Sequence, residues 1–265
     1  MISEPISPTE TEELERVLQV YLLGRMDFEI GLQLQRRLVY EVSAMASETT
    51  AGPVGGSLIL CEHPPVITVG RQGSYVHILC DEEEMRARQW RSRWVNRGGG
   101  CFLQVPGQLA IYSILPLEHL GLSLPKYINK LQEVLLLTLS DFLVQGTVKP
   151  DHGGIRVRNR LVADIGVAVR DWVSYYGAVL NINPVLDQFK DVRCGGPDEE
   201  PMTSIERERH GPLSPPLVRQ RILEHFQECF GFTRMSLFTD HPLLRREPAP
   251  SRFALPKPSR KDESR

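Results

Sequence analysis

Glycine and proline interrupt the strand-like segments of this chain at short intervals, and these interruptions limit its fold more than any other property of the sequence. The segment "SLILCEHPPVITVGRQG" contains two β-rich pieces, and the proline pair between them forbids one continuous central strand. The segment "RWVNRGGGCFLQVPGQLAIYSILPL" predicts a strand, a glycine turn and a second strand. "GGIRVRNRLVADIGVAVRDWVSYYGAVLNIN" predicts strands around a polar tip at Arg158–Arg160. Helical patterns alternate with these strands without a regular βαβ rhythm, so the fold is predicted to be α+β, with a mixed, largely antiparallel sheet and flanking helices.

Several segments carry helical signals. Residues 28–46 place apolar side chains on one helical face, behind the candidate N-cap Asp27. "PKYINKLQEVLLLTLSDFL" predicts a second amphipathic helix, and "EEEMRARQW" predicts a short one. A last helix is predicted over roughly 215–230, and two short helices are expected on either side of Cys194. "RVLQVYLLG", which ends at Gly24, predicts a strand ahead of the first helix.

These elements predict a single domain over residues 15–243. Residues 1–14 show no periodic apolar pattern and are predicted to be a disordered lead-in. Residues 244–265 are rich in proline, arginine and lysine with few apolar side chains, so they are predicted to be a basic, disordered tail.

The composition excludes several classes of protein. The formal net charge is −2, whereas a nucleic-acid binder is usually markedly basic, so no nucleic-acid partner is expected. No apolar run approaches the roughly 18 to 20 residues of a membrane span. The start of the chain, "MISEPISPTETEELERV", is acidic and polar and lacks the pattern of a signal peptide. We therefore expect a cytoplasmic protein.

The chain contains five cysteines, an odd number, with no CxxC pair among them. This pattern favours free thiols in a reducing compartment over a disulfide framework, and it lacks the usual spacing of a zinc site, so no metal is expected. Cys61 and Cys101 have apolar strand neighbours and are predicted to lie in the core. Cys194 is the thiol of most interest, because it lies in a predicted loop, where catalytic groups are often found.

Two further segments are open to two interpretations each. The glycines of Arg97–Gly100 allow close approach to a ligand and point N–H groups at an anion, but the same letters also suit a tight hairpin turn. The segment lacks the spacing of a phosphate-binding P-loop. His63, ahead of two prolines, is expected to be extended, and a lone histidine is more often structural than catalytic.

Six segments in collinear order resemble the octanoyltransferases of lipoate biosynthesis, also called lipoate-protein ligase B, within the biotin/lipoate protein ligase superfamily. They are "LGRMDFEIGLQLQRRLV", "EHPPVITVGRQG", "NRGGGCFLQVPGQLAIYSILPL", "GGIRVRNRLVADIGVAV", "VSYYGAVLNIN" and "FKDVRCGG". The resemblance covers about residues 23–196. It implies a biotin/lipoate protein ligase-like fold.

The resemblance also implies an activity. Such enzymes take an octanoyl group from the thioester of acyl carrier protein onto a cysteine and pass it to a lysine of a lipoyl domain, in a 2-oxoacid dehydrogenase or the glycine cleavage H protein. No cofactor beyond the thioester donor is needed. The family cysteine aligns with Cys194, the RGG loop with Arg97–Gly99, and the acyl pocket with Gly177–Asn181. The substrate-binding residues implied in this way are Arg97, Gly98, Gly99, Gly100, Cys101, Phe102, Leu103, Gln104, Asp164, Ile165, Gly166, Gly177, Ala178 and Val179.

Some family positions have changed. The family lysine of "RKIAxxG" is Leu161 here, and two family histidines are Gln104 and Tyr176. Three functions therefore remain open: an octanoyltransferase with a modified site, a non-catalytic relative that binds acylated or lipoylated proteins, and an ATP-dependent ligase. The last is disfavoured because such ligases also use the lysine.

The loss of the lysine raises the question of what activates the thiol. An unperturbed thiol has a pKa near 8.5, so about three percent of it is thiolate at pH 7. Strand alternation predicts that Arg158, Arg160 and Asp164 all face away from Leu161. Tyr175 and Tyr176 are weak substitutes, because a tyrosine with an ordinary pKa of about 10 stays protonated.

Overall fold

The computed structural model describes residues 15–48, 54–149, 153–194 and 201–244. The predicted lead-in and all but the first residue of the predicted tail lie outside these residues, so both stay predictions. Within the described ranges, no helix combines the length and the apolar character that crossing a membrane requires.

In the part of the chain that the structure describes, the main sheet has eight strands, in the order β11-β1-β2-β6-β10-β9-β8-β7. The strands β11, β1 and β2 are parallel to one another, and the other neighbours are antiparallel, which confirms the predicted mixed sheet. A second sheet of three strands has the order β4-β3-β5. The strands are β1 Arg16–Arg25, β2 Val54–Glu62, β3 Val66–Val69, β4 Arg91–Trp94, β5 Cys101–Gln104, β6 Gln108–Ile114, β7 Thr147–Val148, β8 Ile155–Val157, β9 Arg160–Arg170, β10 Val173–Asn181 and β11 Arg234–Phe238.

Within the described ranges, five α-helices accompany the sheets, and the predicted helices are confirmed. The helices are α1 Phe28–Glu48, α2 Glu82–Ala87, α3 Leu124–Asp141, α4 Ile205–Arg209 and α5 Pro215–Phe230. Asp27 caps α1 as predicted, because its Oδ1 accepts from the N–H of Glu29 at 2.8 Å. A 3₁₀ helix at Leu186–Asp191 and α4 are the two short helices expected on either side of Cys194.

The two faces of the main sheet carry separate apolar cores, as the period of two in a strand requires. On β2, Leu58 and Leu60 join the core with α3 and α5, while Ile59 and Cys61 join the core with α1. A third core forms around the small sheet, and it includes Leu103, Leu161 and Cys194. The candidate site lies in this third core, where the small sheet meets β9 and β10.

The edge strand β11 was not predicted from the sequence. It pairs in parallel with β1, with Val17 opposite Arg234 and Tyr21 opposite Phe238. Its residues alternate only weakly between buried and exposed, so its periodicity is poor evidence of a strand. Its place is set by pairing with a strand more than two hundred residues away.

Candidate active site

The segment Arg97–Gly100 is not a hairpin turn, so the simpler interpretation of its glycines is wrong. The strands before and after it, β4 and β5, do not pair with each other, because both pair with β3. The segment folds back on the chain that follows β3, where the N–H of Arg71 donates to the Arg97 carbonyl at 3.0 Å. This approach requires glycine at position 70, since a Cβ there would lie 2.4 Å from the Gly99 oxygen. The loop thereby presents the Arg97 side chain inward.

The Arg97 guanidinium is buried, with 7% of the residue exposed. Its Nη2 donates to the hydroxyl and carbonyl oxygens of Thr68 at 2.7 and 3.1 Å, and its Nη1 donates to the Gly98 carbonyl at 2.9 Å. Burial lowers the pKa of Arg97, and the negative charge of Asp164 opposes that shift. A buried positive charge is therefore held in place by neutral acceptors and balanced by one carboxylate.

A small cavity of about 20 Å³ lies beside Arg97. It brings together eight of the predicted substrate-binding residues: Arg97, Phe102, Gln104, Asp164, Gly166, Gly177, Ala178 and Val179. The changed family position Tyr176 also lines it, together with Phe28 and Tyr112, which the sequence analysis missed. The other predicted binding residues, Gly98, Gly99, Gly100, Cys101, Leu103 and Ile165, do not line it.

A buried chain of hydrogen bonds holds Tyr112 in the wall of this cavity. Its hydroxyl lies 2.8 Å from Nε2 of His63, whose Nδ1 lies 2.8 Å from the Met26 carbonyl. A carbonyl only accepts, so Nδ1 carries the proton and Nε2 accepts from the tyrosine. Burial lowers the pKa of His63 to about 4, so the ring is neutral, in keeping with this chain of bonds. His63 therefore positions Tyr112, which agrees with the structural role expected for a lone histidine.

Gly177 lines the cavity, and the structure leaves no room for a side chain at this position. A substitution here should therefore destabilise the protein. Gly177 has φ +157°, and a Cβ there would lie 2.2 Å from the Ile111 carbonyl oxygen on β6. We expect Gly177→Ala to lower the free energy of unfolding by about 2–4 kcal/mol, because the backbone of two central strands must move apart. Urea unfolding would measure this, with Gly211→Ala as the control, since nothing lies within 4 Å of a Cβ at Gly211. Equal free energies for the two variants would contradict the tight contact.

Cys194 lies outside the helices and strands, as predicted, and its side chain is buried. Only 2% of the residue is exposed, and the N–H of Leu103 on β5 lies 3.5 Å from its Sγ. The chain just before Cys194 is also held in place, because the N–H of Arg193 donates a hydrogen bond to the His77 carbonyl at 2.8 Å. The thiol is thus fixed against β5, in the same apolar cluster as Leu161 and Val179.

Burial raises the pKa of Cys194 to about 12. The Leu103 N–H and the Arg97 charge lower this pKa, while the charge of Asp164 raises it further. A pKa of 12 corresponds to a thiolate fraction of about 10⁻⁵ at pH 7, far below the three percent of an ordinary thiol. Cys194 therefore carries its proton at neutral pH in this structure.

A β-bulge changes the faces of β9 near Leu161. Along the β8–β9 pair, Arg156 lies opposite Leu161 but Ile155 lies opposite Ala163, so Val162 is an extra residue. Val162 and Ala163 consequently both point into the core with α3, whereas Leu161 packs in the cluster with Cys194.

The bulge places Asp164 on the same side as Leu161, so the prediction that the two face apart was wrong. A Cβ on Gly154 would lie 2.6 Å from Leu161 Cδ1 and 3.6 Å from Asp164 Oδ1, which puts both side chains beside one point. Arg160 and Arg158, which were also predicted to face away from Leu161, lie in different surroundings. Arg160 binds Glu208 on α4 at 2.6 Å, and Arg158 lies in the β8–β9 turn with φ +49°. A carboxylate, not an arginine, therefore stands next to the position of the family lysine.

Comparison with known proteins identifies the family of this site. Residues 27–227 match the family model described as the lipoyl protein ligase A/B catalytic domain, which is most of the chain. The chain belongs to this family. The match runs from the cap of α1 into α5, so it includes both sheets' contributions to the cavity and Cys194.

Curated relatives and a solved structure agree with this membership. A protein of Geotalea uraniireducens named octanoyltransferase is 34% identical over 205 residues, covering 77% of this chain and 89% of the relative. One of Cytophaga hutchinsonii with the same name is 34% identical over 182 residues, covering 66% of this chain and 75% of the relative. The fold resembles that of a bipartite lipoate protein ligase of Thermoplasma acidophilum, with TM-score 0.60, 14% identity, and 86% and 87% of the two chains covered. The predicted biotin/lipoate protein ligase-like fold is confirmed.

No group of three or more histidine, cysteine, aspartate or glutamate side chains in the described parts of the chain could hold a metal ion. The candidate site of this ligase A/B family member combines the buried Cys194 thiol with a small cavity that is lined by a buried guanidinium, a carboxylate and two buried tyrosines.

Proposed function

We propose that this protein is an octanoyltransferase of protein lipoylation that carries the octanoyl group on Cys194. Two relatives that are 34% identical over the aligned residues bear that name, and the family model spans residues 27–227, which include the candidate site residues. The observation that most supports a catalytic role is the position of Cys194, whose Sγ lies 3.5 Å from the Leu103 N–H and within the electrostatic influence of Arg97 and Asp164. This reaction fits the site better than non-catalytic binding, because a carboxylate and a guanidinium that line one small cavity both act on the buried thiol.

The reaction proceeds in two acyl transfers. In the first, the Cys194 sulfur forms a bond to the octanoyl carbonyl carbon, the carbon–sulfur bond of the donor breaks, and the donor leaves as a thiol. In the second, a lysine nitrogen of a lipoyl domain forms an amide with that carbon, and Cys194 leaves as a thiol. One thioester becomes one amide, so no oxidant or nucleotide is consumed. We propose acyl carrier protein as the donor and a lipoyl domain of a 2-oxoacid dehydrogenase or the glycine cleavage H protein as the acceptor.

Asp164 carries the proton in this proposal. Four titratable side chains line the cavity in the described residues: Arg97, Tyr112, Asp164 and Tyr176. Burial raises the pKa of both tyrosines, so they keep their protons, and arginine cannot act as a base at neutral pH. Among these four side chains, the Asp164 carboxylate is therefore the one that acts as the general base.

The high pKa of Cys194 determines when the proton moves. With about 10⁻⁵ of the thiol ionised at pH 7, prior ionisation would supply little nucleophile. The proton therefore passes to Asp164 as the sulfur–carbon bond forms, and Asp164 returns it to the departing thiolate. In the second transfer, Asp164 accepts a proton from the incoming lysine. Arg97 supplies a positive potential for the negative charge that develops on the carbonyl oxygen.

Intact-mass spectrometry tests the proposed function. The protein is incubated with octanoyl-acyl carrier protein, and a mass increase of one octanoyl group that is lost on adding a lipoyl domain is expected. Absence of the adduct, with tight binding of the acylated carrier, would instead support a non-catalytic binding protein.

Restoring the family lysine should accelerate the first transfer. In Leu161→Lys, an ammonium next to Cys194 stabilises the thiolate, so we expect adduct formation to become at least about tenfold faster. The same change buries a charge where Leu161 is fully buried, at a cost of about 3 kcal/mol of unfolding free energy. A mass time course with thermal unfolding measures both effects.

Leu161→Met is the matched control, because it keeps the apolar volume and should cost less than about 1.5 kcal/mol. If Leu161→Lys folds and forms the adduct no faster than Leu161→Met, our interpretation of this position is wrong.

A further inference from the structure

A cavity outside the candidate active site has the size of a small-molecule pocket. Its volume is about 690 Å³, and it lies between α1, the segment 93–96 and the β9–β10 hairpin. Pockets that bind small molecules commonly have volumes of about 300–1,000 Å³. Neither Cys194 nor Asp164 lines this cavity, so the proposed acyl transfers assign it no role.

The charge around this cavity is positive. It is lined by Arg36, Arg93 and Arg170, and by no aspartate or glutamate in the described parts of the chain. Arg93 pairs with Glu29 at 2.9 Å and Arg170 with Asp171 at 3.5 Å, but exposed pairs of this kind contribute little to stability. Arg36 forms no ion pair within the described ranges. An anion in the cavity therefore meets one unpaired guanidinium and two that can exchange partners.

Neutral hydrogen-bond donors accompany these charges. The cavity-lining Gln35 is only 1% exposed, and its Oε1 accepts from the N–H of Tyr176 at 2.8 Å. This bond fixes which amide atom is the oxygen, and the other atom, Nε2, has no hydrogen-bond partner among the described residues. The Tyr175 hydroxyl accepts from Nδ2 of Asn96 at 2.5 Å, so its own proton is available to a further acceptor. A ligand with acceptor oxygens suits this lining, because a buried donor without an acceptor is unfavourable.

Flat aromatic surfaces form another part of the lining. Trp94 is 52% exposed, which leaves its indole accessible to a ligand. The Tyr175 ring stacks on Tyr176 with centroids 5.1 Å apart, which fixes the plane of the ring. Aromatic side chains of this kind pair favourably with the ring of a ligand. The apolar aliphatic part of the lining is Leu32, Val39 and Val95.

We propose that this cavity is a second binding site, for a small anion that carries a flat ring. Its anionic group is a phosphate or a carboxylate, because the fork of a guanidinium matches the paired oxygens of either group. Arg36 binds this group together with Arg93 and Arg170, and the ring packs against Trp94 and Tyr175. The site is separate from the proposed acylation of Cys194 and does not depend on it.

Two fluorescent molecules of nearly equal shape test the requirement for an anion. 8-Anilinonaphthalene-1-sulfonate carries a sulfonate on a flat ring, and N-phenyl-1-naphthylamine is its uncharged counterpart. In fluorescence titrations of the full chain, the sulfonate should bind at least about tenfold more tightly than the amine. Its affinity should also fall as salt is added, because exposed charges are screened.

Variants of α1 test whether binding occurs in this cavity. Arg36→Gln should weaken binding of the sulfonate by about five- to tenfold, because it removes the unpaired charge. Arg37→Gln is the matched control, since Arg37 is the next residue on α1, binds Glu41 and does not line the cavity. This control should bind the sulfonate with the wild-type affinity.

Competition identifies the ligand chemistry. Adenosine monophosphate supplies a phosphate with a flat base, 1-naphthoate supplies a carboxylate with a flat ring, and octanoate supplies a carboxylate without a ring. At least one of the first two should displace the sulfonate at millimolar concentration, and the stronger competitor shows whether a phosphate or a carboxylate is preferred. Octanoate should compete at least about tenfold more weakly than 1-naphthoate, and Trp94→Ala should reduce that difference.

Three results would overturn the proposal. The first is equal affinity for the sulfonate and the uncharged amine, which would show apolar adsorption only. The second is the same affinity for the sulfonate in folded Arg36→Gln and in Arg37→Gln, which would place the binding elsewhere. The third is failure of both adenosine monophosphate and 1-naphthoate to compete. None of these measurements involves acyl transfer, so their failure is distinct from failure of the proposed function.

Discussion

Cys194→Ser is expected to abolish the octanoyl adduct and to lower transfer to a lipoyl domain by more than about 10⁴-fold. The substitution exchanges one atom in a buried position, so the fold should survive, but a serine hydroxyl is a far weaker nucleophile than a thiol. Even the wild-type thiol is almost fully protonated at neutral pH, because burial raises its pKa to about 12. Intact mass after incubation with octanoyl-acyl carrier protein and a rate assay on the lipoyl domain measure the two effects.

The matched control for this prediction is Cys229→Ser. Cys229 is a free, half-buried cysteine on α5, outside the cluster that contains Cys194. It should keep the wild-type adduct and rate. An octanoyl adduct of normal yield on Cys194→Ser, mapped by peptide mass to another cysteine, would show that the acyl group is carried elsewhere.

Asp164→Asn is expected to lower the rate of acyl transfer by about 10²–10⁴-fold while octanoyl-acyl carrier protein still binds. The amide has nearly the shape of the carboxylate but cannot accept the proton from Cys194 or from the incoming lysine. The loss should therefore appear in kcat for both half-reactions. Single-turnover mass measurements separate the first transfer from the second.

Chemical rescue distinguishes a proton carrier from a structural residue at this position. Asp164→Ala should regain part of its rate when formate is added, because a free carboxylate can enter the space that the side chain leaves. The control is Asp171→Asn at the far end of the same hairpin, where the Asp171 side chain is exposed and lies 3.5 Å from Nε of Arg170. A normal rate for Asp164→Asn, or a formate effect equal in the control, would remove Asp164 from the mechanism.

Local sequence patterns were sufficient to predict much of the fold. The Asp27 cap and the three long helices follow from periodicity and capping, which act over a few neighbouring residues. The proline pair after His63 correctly predicted a break between β2 and β3, which belong to different sheets. The collinear resemblance also identified the family and most of the residues that line the cavity.

Strand pairing, which the local sequence pattern does not reveal, accounts for two wrong predictions. The hairpin interpretation of Arg97–Gly100 failed because β3 lies between β4 and β5 in the small sheet. The prediction that Asp164 faces away from Leu161 failed because one extra residue, Val162, interrupts the alternation. A bulge depends on the register of two strands, and strand alternation alone does not reveal it.

The sequence by itself determined the family and the order of the predicted elements, and it singled out Cys194 as the thiol proposed to carry the acyl group, because these depend on residue types and their spacing along the chain. Only the tertiary structure decided the state of that thiol and its surroundings. Burial of Cys194 against Leu103 arises from contact between segments that are distant in the chain, and the shared side of Leu161 and Asp164 arises from the register of the β8–β9 pair. Solvation and charge at a buried group are set by whatever packs around it, so the same cysteine motif has a different pKa in each environment that a fold provides.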